Sequence, residues 1–217
     1  MPLFDSRRDA AQQLASALSG FGESNPLILA IPRGAVEMGR ILADQLGGEV
    51  DVVLVRKLGA PGNPEFAVGA IDETGWMYVA DHAATAGADA VYLAAEKERQ
   101  LELLRQRRAL YTPSRPPIDR KGRVVIVVDD GLATGATMIA ALHAARARDP
   151  ARLVCAVPVA APESLRTVRS HADELVYLDA PCYFQAVGQF YREFPQVSDA
   201  EVVRLLEKPG QAPAGTV

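Results

Sequence analysis

The stretch RVVIVVDDGLATGAT occupies residues 123–137. A run of apolar, mostly β-branched residues ends abruptly at two aspartates, Asp129 and Asp130. A short loop of glycine, alanine and threonine follows, and the next residues, ATMIAALHAARA, carry a helical pattern. A continuous apolar run of this length reads as a strand covered on both faces, the kind found in parallel sheets.

The same pattern recurs on either side. PLILAI (residues 26–31) is a second buried strand, and AVEMGRILADQLG is an amphipathic helix ending at Gly47 and Gly48. DVVLVRKLG (51–59) reads as a third buried strand, so this part of the chain is a β-turn-α-β unit with a right-handed crossover. Downstream, RLVCAVPVA and ELVYLD are strands, and PESLRTVRS is a short helix with Pro162 in its first turn. Asp5 or Ser6 caps a helix reaching about Leu18, and Ser198 or Asp199 caps another over SDAEVVRLLEK. Between the third strand and the opening motif the pattern changes. GAPGNPE is turn-rich, FAVGAIDETGWMYVA reads as a hairpin around residues 73–75, and residues 88–111 form a long helix whose charged side reads as a solvated face. No internal repeat and no interdomain linker is visible. The expected fold is a doubly wound, mostly parallel α/β sheet flanked by helices, with a hairpin and helical insertion over about 59–112.

The chain has 217 residues, 49% hydrophobic and 23% charged, with a net charge of −4 from 23 basic and 27 acidic residues. The acidic balance argues against broad nucleic-acid binding. Cys155 and Cys182 make no disulfide framework, and Cys155 lies inside an apolar run. The N-terminus has no basic region followed by an apolar one, and no apolar run approaches the roughly 20 residues that span a bilayer. The expectation is a cytoplasmic protein without a membrane segment. His82, His143 and His171 show no metal-ligand spacing.

In an open parallel sheet, ligands bind beyond the carboxyl ends of the strands, where Asp129 and Asp130 sit. The glycines of GLATGAT let a loop wrap closely around a ligand. Free N–H groups at the helix start, with the hydroxyls of Thr134 and Thr137, suit an anion such as phosphate. The carboxylates repel that phosphate, so their partners are hydroxyl groups or a divalent cation. A phosphate at one end and vicinal hydroxyls nearby describe a ribose 5-phosphate. A Walker A loop would need a lysine that GLATGAT lacks, and the Gly-x-Gly-x-x-Gly fingerprint of dinucleotide sites is absent.

VVIVVDDGLATGAT closely resembles the motif of the type I phosphoribosyltransferases: an apolar strand, two acids, then a small-residue loop with Thr-Gly and a final Thr. The resemblance extends to IPRGA after the first core strand and RKLG at the end of the next, and covers residues 26–177. The long helix and the tail are less easily matched. The resemblance implies a donor, phosphoribosyl pyrophosphate, whose pyrophosphate is displaced by a nitrogen acceptor with Mg²⁺ as cofactor. It places Arg33, Gly34, Arg56 and Lys57 on the pyrophosphate. It places Gly131, Leu132, Ala133, Thr134, Gly135, Ala136 and Thr137 on the 5′-phosphate. Asp129 and Asp130 fall on the ribose hydroxyls and the metal, directly or through water, and with Arg56 and Lys57 they form the expected catalytic set. GAPGNPEFAVGAIDETG takes the slot of a mobile loop that closes over the site. Ala133 stands where members acting on 6-oxopurines carry an acid, which points to another acceptor.

The expected hood is PCYFQAVGQFYREF, within a segment over about 181–208. Phe184, Phe190 and Tyr191 could stack on a flat base there, although core or dimer packing is the ordinary reading of such aromatics. Trp76 is equally open. Glu65, Asp72 and Glu73 are acid–base candidates whose ordinary reading is a solvated loop carboxylate. The single domain is expected over 1–208, core about 26–178, with a disordered tail over 209–217, and the resemblance implies a homodimer. The rival reading is a regulator that senses the donor without turning it over. In such a protein Arg105, Arg107, Arg108, Arg115 and Arg120 would cluster for RNA. A synthetase of the donor would need two such domains.

Overall fold

The structure, a computed structural model, describes residues 2–113 and 116–207. Arg115, the side chain of Glu65 and the tail expected beyond residue 208 lie outside the described residues.

The first helix, α1 (Arg7–Ala17), is capped by Ser6, whose hydroxyl accepts from the Asp9 N–H. There follow β1 (Leu27–Ala30), α2 (Ala35–Leu46), β2 (Glu49–Val52), β3 (Val55–Ala60), β4 (Asn63–Asp72), β5 (Met77–Val79) and α3 (Ala90–Tyr111). The second half comprises β6 (Val124–Val128), α4 (Ala136–Arg146), β7 (Arg152–Val159), α5 (Pro162–Val168), β8 (Glu174–Asp179) and α6 (Asp199–Glu207).

Five strands form a parallel sheet in the order β2-β1-β6-β7-β8. The apolar runs are explained by burial on both sides. Ile28, Ala30, Ile126 and Val128 pack toward α1 and α2, while Leu27, Leu29, Val125 and Val127 pack toward α4. Strand order reverses between β1 and β6, which lie side by side with Ala30 opposite Val128. The carboxyl ends of these two strands therefore flank the switch-point crevice, the usual ligand position in such sheets. The turn bearing Arg33 and the Asp129–Asp130 pair are the two residue groups that leave the sheet there.

One expectation is corrected. The third strand expected over 51–59 is two strands in different sheets. Val53 N–H still bonds to Ala30 at 3.1 Å, but the Leu54 carbonyl turns to accept Glu73 N–H at 3.1 Å. Residues 51–55 are all buried, so apolar character runs through the break and hides it. The segment expected to take the slot of a mobile loop carries strands. β3, β4 and β5 make a three-stranded antiparallel sheet, with the β3–β4 turn at Pro61 and Gly62. The hairpin expected around 73–75 is present as the β4–β5 turn. This small sheet packs against both α3 and α4.

Candidate functional site

Asp129 and Asp130 follow the last residue of β6. Asp129 Oδ1 accepts the Asp130 N–H at 2.9 Å. Asp130 Oδ2 accepts from Arg7 Nε at 2.8 Å, and these side chains are only 16% and 9% exposed. Arg7 is itself fixed: Nη1 donates to the Pro195 carbonyl at 2.7 Å, and the guanidinium lies 3.7 Å from the Phe194 ring centroid. The Tyr191 hydroxyl donates to the Asp130 carbonyl at 2.6 Å. Burial pushes both carboxyl groups above the usual carboxylate range. The charge of Asp130 raises Asp129 further, whereas Arg7 pulls Asp130 back down. Two adjacent, desolvated acids sharing one arginine favour an additional cation or a hydroxyl donor.

Arg7 was not legible as a site residue. Its only trace in the sequence is that Arg7 and Arg8 stand in the first turn of a helix, where the dipole disfavours cations.

The turn after β1 lies against the same pair. At Gly34, a Cβ would come within 2.2 Å of Asp130 Oδ2 and 3.1 Å of Arg7 Nε. Glycine is therefore required by close approach, not by a special backbone angle. The Pro32–Arg33 peptide is cis. Arg33 Nη1 stands 3.7 Å from Asp199 Oδ2 at the start of α6, and both side chains are more than a third exposed. Asp199 also accepts a short hydrogen bond from the Tyr111 hydroxyl.

The loop at 131–137 is pinned to the end of β7 and to α5. Leu132 N–H bonds to Val159 and Ala161 N–H to Leu132, both at 2.9 Å, and the Ser164 hydroxyl makes a short bond to the Ala133 carbonyl. Gly135 has φ 84° and caps α4, with Val168 packed behind it. Ala133 and Thr134 are exposed at the loop tip, and Thr137 is half-buried in the first turn of α4. The helix opens toward this loop with its first N–H groups, which have no partner within the helix. Ala136 supplies the N1 position.

Arg56 and Lys57 sit on β3, an edge strand of the small sheet, rather than at the end of a parallel strand. Arg56 is half-buried and faces α3, with Arg107, Glu96 and Tyr111 as its electrostatic neighbours. Lys57 is exposed and alternates to the opposite face. Both border one cavity along the strand edge. Phe190 and Tyr191 are buried: Tyr191 packs on Phe4 and Phe194, and Phe190 on the half-buried Phe184. The short 3₁₀ turn Val187–Phe190 brings Val187 against Gly131, where a Cβ would meet it at 2.5 Å.

The loop carboxylates Asp72 and Glu73 are structural rather than solvated. Asp72 is fully buried; its Oδ1 accepts from Thr74 N–H, the Thr74 hydroxyl and Trp76 N–H, and its Oδ2 lies 3.3 Å from His143 Nδ1. Glu73 takes two bonds from Arg108, at 2.7 and 3.0 Å. Trp76 stacks on His143 with centroids 3.6 Å apart. Of the five arginines considered for RNA, the four described ones make separate contacts. Arg108 and Arg120 are engaged in the Glu73 network, Arg105 is near Glu102, and Arg107 lines the β3 cavity.

Among the described residues no cluster of three or more His, Cys, Asp or Glu stands ready for a metal. Two carboxylates alone fit a cation that keeps most of its waters and arrives with a phosphorylated ligand, as Mg²⁺ does.

Fold and site together define a doubly wound α/β domain that holds a glycine- and threonine-bearing loop and an acidic pair side by side at its switch point. The chain belongs to the phosphoribosyl transferase domain family, which matches it over residues 2–189. Two Mycobacterium tuberculosis proteins, from strains CDC 1551 / Oshkosh and ATCC 25618 / H37Rv, each named "Putative phosphoribosyl transferase", are 41% identical to it over 209 residues. That alignment covers 96% of this chain and 47% of theirs, so the chain spans about half the length of these curated relatives. The crystal structure of TT1426 from Thermus thermophilus is similar at 47% identity and a TM-score of 0.79, covering 95% of this chain and 98% of that one.

Proposed function

We propose that the protein transfers the 5-phosphoribosyl group of phosphoribosyl pyrophosphate to a nitrogen acceptor, releasing pyrophosphate. One observation carries this reading: the acidic pair, the glycine turn packed on Asp130 and the hydroxyl-bearing loop at the start of α4 converge on one switch point.

The 131–137 loop grips the 5′-phosphate through N–H groups and the Thr134 and Thr137 hydroxyls. This fixes the ribose with its 2′- and 3′-hydroxyls toward Asp129 and Asp130. The nitrogen lone pair forms a bond to the anomeric carbon as the carbon–oxygen bond to pyrophosphate breaks and the electron pair leaves with pyrophosphate. The acceptor nitrogen gives up a proton to solvent. Charge grows on the leaving group, where Arg33, the Gly34 turn, Arg56 and Lys57 stabilise it. Mg²⁺, held by Asp129 and Asp130 directly or through water, would supply further neutralisation of the pyrophosphate. Arg33 is available for this role because its contact with Asp199 is long and exposed, a kind of pair worth at most about 1 kcal/mol. Ala133 at the loop tip favours an acceptor other than a 6-oxopurine. Phe184, at the edge of the hood, is better exposed than Phe190 or Tyr191 to meet a flat acceptor.

The test is pyrophosphate release from donor and Mg²⁺, screened across nucleobases, orotate and small amines. Turnover with one acceptor, lost in Asp129→Asn/Asp130→Asn, supports the transferase. Tight donor binding without turnover for any acceptor would replace it with the sensor.

A further inference from the structure

Between the β3 edge and α3 lies a cavity of about 580 Å³. Its charged and amide lining comprises Arg56, Lys57, Arg99, Arg107, Glu96 and Gln100. Among these described lining residues four cations face one carboxylate, and that carboxylate is already committed. Glu96 is buried, makes a short bond with Arg99 and accepts from Gln100 Nε2 at 2.6 Å.

Arg56 and Arg107 are different from the other arginines nearby. Both are half-buried, and among the described residues neither has a hydrogen bond or an ion pair. Along the same helix, Arg99 rests on Glu96, Arg105 is 3.7 Å from Glu102, and Arg108 holds Glu73. These three have carboxylate partners, and Arg107 has none among the described residues. Two half-buried guanidinium groups that repel each other are costly when the carboxylate beside them, Glu96, is already bonded to Arg99 and Gln100. Burial and the charge of Arg107 both push the Arg56 guanidinium down from its usual range. The wall between them also holds a buried Gln100 amide oxygen with no partner. Gly59, Ala60 and Gly62 add no large side chain to the opposite rim, where Pro64 and Tyr92 also stand and the Tyr92 hydroxyl donates to the Gly59 carbonyl at 2.8 Å. Tyr111, four residues after Arg107 on the same helix, bonds through its hydroxyl to Asp199, which Arg33 of the turn after β1 approaches at 3.7 Å.

We infer that this cavity binds a phosphate-type anion between Arg56 of β3 and Arg107 of α3. The planar guanidinium fork suits a phosphate oxygen pair, which a lysine would meet only as a point charge. α3 thereby becomes part of the binding surface instead of a solvated covering helix. The anion is either the pyrophosphate end of the donor or a phosphate carried by the acceptor. Naming these two sources rests on the proposed function, whereas the anion site itself does not.

The experiment is calorimetry of inorganic pyrophosphate and of inorganic phosphate, with Mg²⁺, on the whole chain. Wild type is compared with Arg107→Ala, Arg107→Lys and Arg105→Ala, and thermal unfolding is recorded for each. The expected result is at least tenfold weaker binding of one anion in Arg107→Ala, partial recovery in Arg107→Lys and no change in Arg105→Ala. A raised donor KM in Arg107→Ala assigns the anion to the donor, and a raised acceptor KM alone assigns it to the acceptor. A folded Arg107→Ala that binds both anions as wild type does would overturn the inference, even if wild type turns the donor over. Conversely, Arg107-dependent anion binding without turnover would leave the site standing and remove the transferase reading.

Discussion

Gly34 and Arg7 show how tightly the acidic pair is held. A methyl group at position 34 would overlap the Asp130 carboxylate, so Gly34→Ala must push Asp130, Arg7 or the whole turn aside. We expect it to cost about 1–3 kcal/mol of stability and most of the donor affinity, measured by denaturant unfolding and donor titration. Arg7→Ala leaves Asp130 buried without its partner and removes the packing on Phe194, for a loss of about 3 kcal/mol in urea unfolding. A variant as stable as wild type would show that the pair is not compensated as described. Cys155 offers a test of burial beside the site. Burial, with Asp129 next in weight, pushes its thiol up to about 12. A raised thiol pKa adds stability that is complete below the unfolded value of roughly 8.5 and is lost as pH rises toward 12. At pH 8 one thiol per chain, the exposed Cys182, should react with a disulfide reagent, and the second only on unfolding. Two fast thiols in the folded protein would contradict this. At this scale the sequence exposed the groups whose chemistry is local: two adjacent acids, a glycine loop, two threonines. It concealed Arg7, which reaches Asp130 across 123 residues, a distance that no local pattern encodes.

Among the elements, the parallel strands and their helices were readable because burial on both faces leaves continuous apolar runs. The boundary between β2 and β3 was not, since residues 51–55 are buried on both sides of the break and only hydrogen bonding changes partner. The same change moved Arg56 and Lys57 onto an antiparallel edge. In the segment over 59–75, which the resemblance gives the slot of a mobile loop, β4 pairs on both sides and α3 and α4 pack on its sheet. His143 anchors that sheet to α4 by stacking on Trp76 and meeting Asp72. His143→Ala should therefore destabilise the protein by about 1–2 kcal/mol. Because Trp76 is the sole tryptophan, its fluorescence should shift to the red as the ring is uncovered. An unchanged spectrum and melting curve would mean that the small sheet does not depend on this contact.

For the molecule as a whole, the strand order decides where the chemistry sits. Reversal between β1 and β6 sets the Arg33–Gly34 turn beside Asp129 and Asp130, although 95 residues separate Gly34 from Asp129 in the numbering. The hood closes over the other side, with Val187 on Gly131 and the Tyr191 hydroxyl on the Asp130 carbonyl. The family match ends at residue 189, within this segment, while the Mycobacterium tuberculosis relatives align with 96% of the chain. The central claim is that this crevice holds a ribose 5-phosphate with its pyrophosphate. Its most direct measurement is equilibrium binding of phosphoribosyl pyrophosphate with Mg²⁺ to wild type and to Asp129→Asn/Asp130→Asn, without any acceptor. The account predicts saturable one-to-one binding that weakens about a hundredfold or more in the double variant, on the order of 3 kcal/mol. Donor binding that is absent from wild type, or equally tight in both proteins, would contradict it.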